Sequence, residues 1–227
     1  MDDANLTFGF SEEQKLLRDS VLGTLQRVLP AEKIRKLDKA GEYPYEACAA
    51  LAEAGINGIV YPEEYGGQNG SFMDLAVLGE ALGYHYGGIA QAWGITCIYA
   101  GMHIALHGSD AIKREILPKI ISGDMRLALC LSEPDHGSDM LDPSGGAASP
   151  VGNYGRPNLV ADLRGDDIIL NGQKAAWISN GVIAEVCILY CAADSGNGPD
   201  PHNGCVLVFP MNLPGISRGK PLDKMGQ

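Results

Sequence analysis

The chain is 227 residues long and carries 17 Lys and Arg against 28 Asp and Glu, a formal net charge of −11 at pH 7. This acidic balance argues against a protein whose general activity is to bind the phosphate backbone of nucleic acids. With 45% hydrophobic and 20% charged residues, the composition is typical of a folded globular protein rather than a disordered chain. The length allows one large domain or two small ones, and we expect two.

Six cysteines are scattered along the chain, at Cys48, Cys97, Cys130, Cys187, Cys191 and Cys205. The chain is far longer than the small secreted scaffolds that depend on disulfides, so we expect all six thiols to be reduced. The sequence begins Met-Asp-Asp-Ala-Asn, which is acidic where a secretory or mitochondrial targeting segment would be basic. We therefore expect a cytoplasmic protein.

Residues 81–109 contain no Asp, Glu, Lys or Arg, and this stretch is long enough to span a bilayer. Six glycines, three histidines and one glutamine interrupt it. A broken apolar run of this kind is more typical of a helix buried inside a soluble protein. We expect a buried helix here and no membrane span.

The first half of the chain has helical patterning. Ser11 and Gln14 match the N-cap and N3 positions of a capping box, and apolar residues then recur at steps of three and four until Pro30. Further helices are predicted at 31–39, 46–53, 72–82 and 110–121.

Strand-like patterning begins at Arg126. Strands are predicted at 127–131, 159–163, 168–170, 186–192 and 205–210, the second and third pairing as a hairpin. Residues 140–158 hold three prolines and four glycines and are predicted to form a mobile loop.

The order of these elements predicts an α+β multidomain fold. An N-terminal all-α helical domain, residues 1–125, is followed by a small antiparallel β-barrel-like domain, residues 126–227. Strands and helices do not alternate along the sequence, so the pattern does not favour a doubly wound parallel sheet.

Several common functional motifs are absent from the sequence or weak in it. His103 and His107 lie four residues apart, but no glutamate follows His103 and no third metal ligand is present nearby, so we expect packed or capping histidines. There is no P-loop, no G-x-G-x-x-G after a strand and no G-x-S-x-G elbow. The commonest signals of nucleotide-binding loops and esterases are therefore missing.

Two polar segments, each following a predicted strand, are the candidates for a site. They are residues 129–139 and residues 171–181. Backbone N–H groups in such loops can converge on an anionic or carbonyl-bearing ligand, with Trp177 as a flat wall. From residue types alone, two ordinary turns with Trp177 in the core explain the pattern at least as well.

The same two segments carry a family resemblance. Residues 130–139 match the pattern C-x-[TS]-E-P-x-x-G-S-D, and residues 177–180 match W-I-[TS]-N. The chain thereby resembles the N-terminal and middle domains of the acyl-CoA dehydrogenase family. The stretches 62–67 and 108–131 agree, so the resemblance covers nearly all of the chain.

The resemblance implies that the second domain binds FAD. On that basis Leu129, Leu131 and Ser132 line the isoalloxazine ring, and Ser132 hydrogen-bonds to it. Gly137 lets the backbone approach the cofactor closely. Ser138 binds the pyrophosphate and, because it lies near the CoA portion of the acyl-CoA, is also a substrate-binding residue.

The resemblance also implies α,β-dehydrogenation of an acyl-CoA thioester. Trp177 would cover one face of the flavin, and Ser179 would bond the ring near N5, which accepts the hydride. A general base must take the α-proton. In the family this is a glutamate of a C-terminal helical domain that we expect this chain to lack, so no catalytic residue is assigned. Glu133, beside Pro134, is expected to be a structural hydrogen-bond acceptor.

Further expectations concern partners and the acyl pocket. The resemblance implies an electron-transfer flavoprotein or a similar acceptor as partner, and a homo- or hetero-oligomeric assembly. Relatives line their acyl pocket with the stretch equivalent to residues 92–102, which makes Trp93, Thr96 and Tyr99 weak candidates. Core filling is the better interpretation of all three.

Two other functions stay open at this point. A non-catalytic or partner-completed subunit of a hetero-oligomeric acyl-CoA dehydrogenase would keep the fold and need another chain to complete its site. A flavin-dependent oxidase or monooxygenase could use the same fold, because fold does not fix chemistry.

Three departures from the family pattern bear on the substrate side: the extra residue at Ala175-Ala176, His136, and the long stretch 140–158.

Overall fold

The structure is a computed structural model that describes residues 9–137, 158–175 and 177–224. The chain divides into two compact units, Met1–Met125 with Asp223–Gln227 and Arg126–Leu222. The first, here called the helical unit, contains only helices and turns among its described residues. The second, the sheet unit, is built on a mixed β-sheet.

The described part of the helical unit contains seven α-helices. Each helix predicted from sequence is present and differs from its expected bounds by a few residues. The helices are α1 (Glu12–Val28), α2 (Ala31–Ala40), α3 (Tyr45–Glu53), α4 (Phe72–His85), α5 (Gly87–Gly94), α6 (Gly101–His107) and α7 (Asp110–Ile121). Short 3₁₀ turns lie at Ile56–Gly58 and Glu63–Tyr65, and a π-helical segment, Ile95–Ala100, joins α5 to α6.

Helix α1 begins with the predicted capping box. The Gln14 N–H donates to Ser11 Oγ at 3.2 Å, and the Ser11 N–H donates to Gln14 Oε1 at 3.0 Å. Helix α4 begins with a second capping box that was not expected, in which Asp74 Oδ2 accepts bonds of 2.8 Å from both the N–H and the hydroxyl of Ser71. These bonds, the backbone bond first, lower the pKa of Asp74 from its ordinary value.

The core of the helical unit is apolar around one buried amide. Asn57 donates from Nδ2 to the Ile120 carbonyl at 3.1 Å and accepts from the indole N–H of Trp93 at 2.9 Å. The amide thereby links the turn that follows α3 to α5 and α7. The largest fully buried aliphatic side chains of this unit are Leu25, Leu29, Leu51, Leu78, Leu82, Ile89, Ile104, Leu117 and Ile120.

The uncharged stretch folds into one helical run, Gly87–His107, as predicted. By length and composition this run could cross a membrane, a test that core helices of globular proteins also pass. Half of its most apolar window is buried, so the burial is partial. Trp93 and Thr96 fill the core, whereas the expectation that Tyr99 does so is wrong, since 53% of Tyr99 is exposed.

The π-helical segment depends on a tyrosine from outside the run. The Gly101 N–H donates to the Thr96 and Ile98 carbonyls and not to the Cys97 carbonyl, which it would meet in an α-helix. The buried Tyr61 hydroxyl donates to the Cys97 carbonyl instead. A Cβ at position 101 would overlap that hydroxyl, so only glycine permits this approach.

The sheet unit contains five strands in its described part. They are β1 (Leu127–Cys130), β2 (Leu159–Asp162), β3 (Ile169–Gly172), β4 (Val186–Asp194) and β5 (Asp200–Pro210). Strand β4 is central and pairs antiparallel with β5 along one edge. Its other edge carries β1 opposite residues 186–189 and β2 opposite residues 192–194, both parallel to it. Strand β3 is antiparallel to β2.

This topology corrects the predicted antiparallel, barrel-like domain. The sheet is mixed, and within the described ranges its outer strands β3 and β5 do not pair, so it is open rather than a closed barrel. The hairpin of β2 and β3 is indicated by its own turn, whereas each parallel pair joins segments far apart in the chain and has no local sequence signal. The loop predicted at 140–158 lies outside the described residues, apart from Asn158.

One face of the sheet buries a small core of alanine, leucine and cysteine side chains. Its buried members are Ala128, Cys130, Leu159, Ala161, Ala184, Cys187, Leu189 and Cys191. All six cysteines of the chain are free thiols in the structure.

Replacing Asn57 by Ala should destabilise the helical unit by about 1–3 kcal/mol, because the indole N–H of Trp93 then stays buried without its acceptor. Urea unfolding of the two chains measures the difference. Gln26→Ala removes an amide from an exposed position of α1 and should cost less than about 0.5 kcal/mol. Equal stability of the Asn57→Ala and Gln26→Ala chains would contradict the role of the buried amide.

Replacing Asp74 by Ala should lower the free energy of unfolding at pH 7 by about 1 kcal/mol, because it removes the N3 side chain of the capping box while the N-cap Ser71 remains. Because the folded pKa of Asp74 is lowered, its carboxylate stabilises the fold above the unfolded pKa. This stabilisation is lost as the pH falls through the lowered folded pKa. The difference in urea midpoint should therefore shrink in acid, whereas a pH-independent difference would refute the linkage. Asp19→Ala, at an exposed site of α1, is the control.

Candidate functional site

The first motif segment forms a tight turn directly after β1. The Glu133 N–H donates to the His136 carbonyl at 2.9 Å, and the His136 N–H donates to the Glu133 carbonyl at 3.3 Å. Ser132 before the turn and Gly137 after it are half-buried. Apart from its chain neighbours, no atom of the described residues lies within 4 Å of the place that a Cβ of Gly137 would take. The described residues therefore do not fill the position beside Gly137.

The second motif segment follows β3 and lies against the first. The Gln173 N–H donates to the Asn158 carbonyl at 3.2 Å, and the Ala175 N–H donates to the Ser132 carbonyl at 2.9 Å. The second bond joins the backbones of the two motif segments. Trp177 follows this bond by two residues, so the structure brings the two sequence motifs together.

A buried ion pair reinforces this contact. Lys174 Nζ lies 2.8 Å from Glu133 Oε1, and the two side chains are only 7% and 0% exposed. Lys174 also donates to the Leu131 carbonyl at 2.9 Å, and Glu133 Oε2 accepts from the Asn158 N–H at 2.7 Å. Both charges are thus paired and hydrogen-bonded, which is the condition under which buried ions are tolerated. The pair holds both motif segments and the start of β2 in one arrangement.

Trp177 occupies a strained and exposed position. Its φ is 76°, a region that non-glycine residues rarely adopt, and 69% of the residue is exposed. The chain on either side is anchored, by Lys174 before it and by the Asn180 side chain after it, which donates to the Leu127 carbonyl at 3.3 Å. Trp177 therefore does not fill the sheet core. Backbone outliers of this kind are typical of functional sites.

All described residues of the expected cofactor site lie at the end of β1 or in the two motif segments. Five of them are half-buried, and the tryptophan is exposed. They are Leu129, Leu131, Ser132, Gly137, Trp177 and Ser179. Ser138, the expected pyrophosphate and substrate contact, lies outside the described residues.

Lys174 and Asn158 hold the site together, and neither was identified from the sequence. Asn158 binds Asp135 as well as Glu133: the Asp135 N–H donates to Asn158 Oδ1 at 3.3 Å, and Asn158 Nδ2 donates to Asp135 Oδ2 at 3.2 Å. The signal that could have found Lys174 is charge complementarity. Lys174 is the single cation of its motif segment, and Glu133 is an anion of the other segment. The expected structural role of Glu133 agrees with these bonds.

The described residues contain no group of three or more His, Cys, Asp or Glu side chains that could hold a metal ion. The ring of His103 bonds to the Tyr99 carbonyl, one turn earlier in the same helical run, and His107 is exposed.

Replacing Lys174 by Met should destabilise the sheet unit by about 3–5 kcal/mol, because the Glu133 carboxylate then stays buried without its cation. The double variant Lys174→Met with Glu133→Gln should recover part of that loss, since it buries no unpaired charge. Urea unfolding of the full-length chains measures both differences. Lys220→Met, at an exposed site of the same unit, should change stability by less than about 0.5 kcal/mol. A Lys174→Met chain as stable as this control would refute the role of the ion pair.

Family models match both halves of the chain. The model of the acyl-CoA dehydrogenase N-terminal domain matches residues 11–124, and the model of the acyl-CoA dehydrogenase middle domain matches residues 128–227. The match to the middle domain includes both motif segments and the ion pair between them. The two matched ranges together span almost all of the chain.

Individual relatives agree with the family models. The mitochondrial isovaleryl-CoA dehydrogenase of Pongo abelii is 32% identical over 220 residues, which are 96% of this chain and 48% of the relative. An acyl-CoA dehydrogenase from Geobacillus kaustophilus has a TM-score of 0.79 at 27% identity, covering 94% of this chain and 52% of that one. A structure described as the electron transferring flavoprotein of Acidaminococcus fermentans has a TM-score of 0.78 at 26% identity, covering 95% of this chain and 52% of that one.

The chain spans about half the length of the relatives it matches. Its helical unit and sheet unit correspond to the N-terminal and middle domains of those proteins. The fold, the two motif segments and the matched domains agree with one another. The chain belongs to the acyl-CoA dehydrogenase family.

Proposed function

We propose that this chain is the flavin-binding part of an FAD-dependent acyl-CoA dehydrogenase, which oxidises the α,β-bond of an acyl-CoA thioester. The observation that carries the proposal is the bond from the Ala175 N–H to the Ser132 carbonyl, which joins the two family motifs. Family membership supports the class of reaction. The contact supports the location of the cofactor, because the residues assigned to FAD flank it.

The residues at this contact fit a planar ring with polar edges. Trp177 presents an exposed indole on an anchored backbone, and aromatic faces pack well against other rings. Ser132 and Ser179 add half-buried hydroxyls, which can donate or accept hydrogen bonds. Gly137 has no side chain, so a ligand could approach its backbone closely.

The other assigned residues complete the cofactor site. Leu129 and Leu131 are half-buried apolar side chains that would contact the hydrocarbon part of the ring. Ser138 would bind the pyrophosphate and the neighbouring CoA portion of the substrate. When bound, FAD would supply the two-electron oxidation of the substrate. The chain orients the ring and provides neutral dipoles, which favour the negative charge that reduction adds.

The carboxylates of the motif turn are already bonded. Glu133 accepts from Lys174 and from the Asn158 N–H, and Asp135 accepts from the Asn158 side chain. A general base needs a lone pair within reach of the α-proton. We therefore assign the base to neither of these carboxylates and propose, from the family resemblance, that it lies beyond the two matched domains. The length of the relatives, of which this chain covers about half, supports that assignment.

An acyl-CoA thioester is the proposed substrate class, supported by relatives that are acyl-CoA dehydrogenases by name. An electron-transfer flavoprotein is the proposed acceptor of the electrons. The structural neighbour described as an electron transferring flavoprotein supports it.

Titration of the full-length chain with FAD tests the proposal. FAD should quench tryptophan fluorescence and stay with the chain on gel filtration. Trp177→Ala should weaken FAD binding by about tenfold, because an aromatic contact contributes about 1 kcal/mol beyond its apolar burial. Tyr84→Ala removes an exposed aromatic side chain of the helical unit and should bind FAD as the parent does.

Three results would count against the proposal. A folded chain that neither carries flavin nor takes up added FAD would exclude the cofactor. Equal FAD affinity of the Trp177→Ala chain and its parent would exclude the indole from the site. Rapid reoxidation of the bound, reduced flavin by air would favour an oxidase or monooxygenase over a dehydrogenase.

A further inference from the structure

Cys191 and Cys205 face each other across the central strand pair of the sheet. They are direct partners in the antiparallel register of β4 and β5, and their Sγ atoms lie 3.5 Å apart. Directly opposed residues of antiparallel strands have Cα atoms about 4.5–5.5 Å apart, within the range of about 4.4–6.8 Å that a disulfide bridges. The sulfurs need to approach to about 2 Å, a small shift that side-chain rotation can supply.

The other cysteines of the sheet are placed differently. Cys130 stands opposite Leu189, and Cys187 stands opposite Ala128 on one side and Phe209 on the other. Cys130 and Cys187 hydrogen-bond to each other, but along a diagonal of the parallel register. The pair on β4 and β5 is therefore the one with the geometry of a cross-strand disulfide.

The two thiols differ in exposure. Cys191 is 3% exposed, whereas Cys205 is half-buried, so an oxidant in solution reaches Cys205 first. The register of β4 and β5 shifts between Ala192 and Ala193, one residue beyond Cys191. A bulge of this kind disrupts the ladder locally and gives the strand room to adjust when the sulfurs move together.

The surroundings of Cys191 favour a fixed order in which the two thiols react. Burial, followed by the neighbouring Cys205, raises the pKa of Cys191 to about 12, and Glu133 adds to this while Lys174 opposes it. Cys191 therefore stays protonated near neutral pH. Cys205 is the thiol that meets the oxidant, and Cys191 is the one that resolves the product.

We propose that Cys191 and Cys205 form a reversible redox-modification site for hydrogen peroxide. Peroxide oxidises the Cys205 thiol to a sulfenic acid and is itself reduced to water. The Cys191 sulfur then attacks the Cys205 sulfur, the S–S bond forms, and the sulfenic oxygen leaves as a second water molecule with the Cys191 proton. Two thiols and one peroxide thus give one disulfide and two waters. This site does not rest on the proposed flavin function.

The disulfide would join β4 covalently to β5. It removes chain entropy from the unfolded state, so the oxidised chain should unfold at a higher urea concentration than the reduced chain. Because β4 also carries β1, whose end leads to Ser132, the crosslink lies one strand away from the candidate site.

Peptide mapping of the full-length chain tests the proposal. The reduced, desalted chain is treated with hydrogen peroxide, and remaining thiols are blocked with N-ethylmaleimide. A digest with endoproteinase Asp-N, which cleaves before Asp194 and Asp200 and so separates Cys191 from Cys205, is then analysed by mass spectrometry without reduction. We expect one linked peptide pair containing Cys191 and Cys205, and recovery of both thiols with dithiothreitol. Cys48→Ser, in the helical unit, should form the same link, and Cys205→Ser should lose it.

Labelling of both Cys191 and Cys205 after peroxide, in a chain that circular dichroism shows to be folded, would overturn the proposal. A link between Cys130 and Cys187 in its place would do the same, and so would oxidation that dithiothreitol does not reverse. Each of these outcomes can be observed with the parent chain alone. The test therefore stays decisive even if the Cys205→Ser chain fails to fold.

Discussion

The buried ion pair of Lys174 and Glu133 is the constraint on which the candidate site depends. Strand β1 ends near the start of β2 along the same edge of β4, and β3 ends opposite the start of β2, so the sheet brings the two motif segments close together without a ladder between β1 and β3. The bond from the Ala175 N–H to the Ser132 carbonyl joins the segments, and the ion pair fastens them further. Separating the segments would leave each charge without its partner.

The same constraint explains how Trp177 can stay in an unfavourable backbone conformation. A φ of 76° at a tryptophan carries a cost of order 1–3 kcal/mol, and such a cost persists only where the surroundings determine the chain path. Here the path is determined by Lys174 and Ala175 on one side and by Asn180 on the other. The sheet unit thus spends part of its stability on presenting one indole outside its core.

Whether a feature could be predicted from the sequence depends on how far apart in the chain the residues that form it lie. The capping box of α1 lies within four residues, and the hairpin of β2 and β3 has its own turn, so both were predictable. The parallel pairs of β4, and therefore the open mixed sheet, have no local signal and were predicted wrongly. The two site segments were identifiable as motifs. Their fastening by Lys174 and Asn158 was not, because it depends on contacts between distant parts of the chain.

The π-helical segment Ile95–Ala100 affects which side of the helical run Gly87–His107 faces the core. Ile89, Trp93, Cys97 and Gly101 are all buried and recur every four residues. In a regular α-helix, residues four apart are offset by about 40° around the axis. Over three such intervals, this row of buried residues, the stripe, would rotate by roughly 120°. An extra residue in one turn cancels much of this drift and keeps the stripe in phase with the core. The phenol of Tyr61, a side chain outside the run, satisfies the Cys97 carbonyl that this alignment leaves without its α-helical donor.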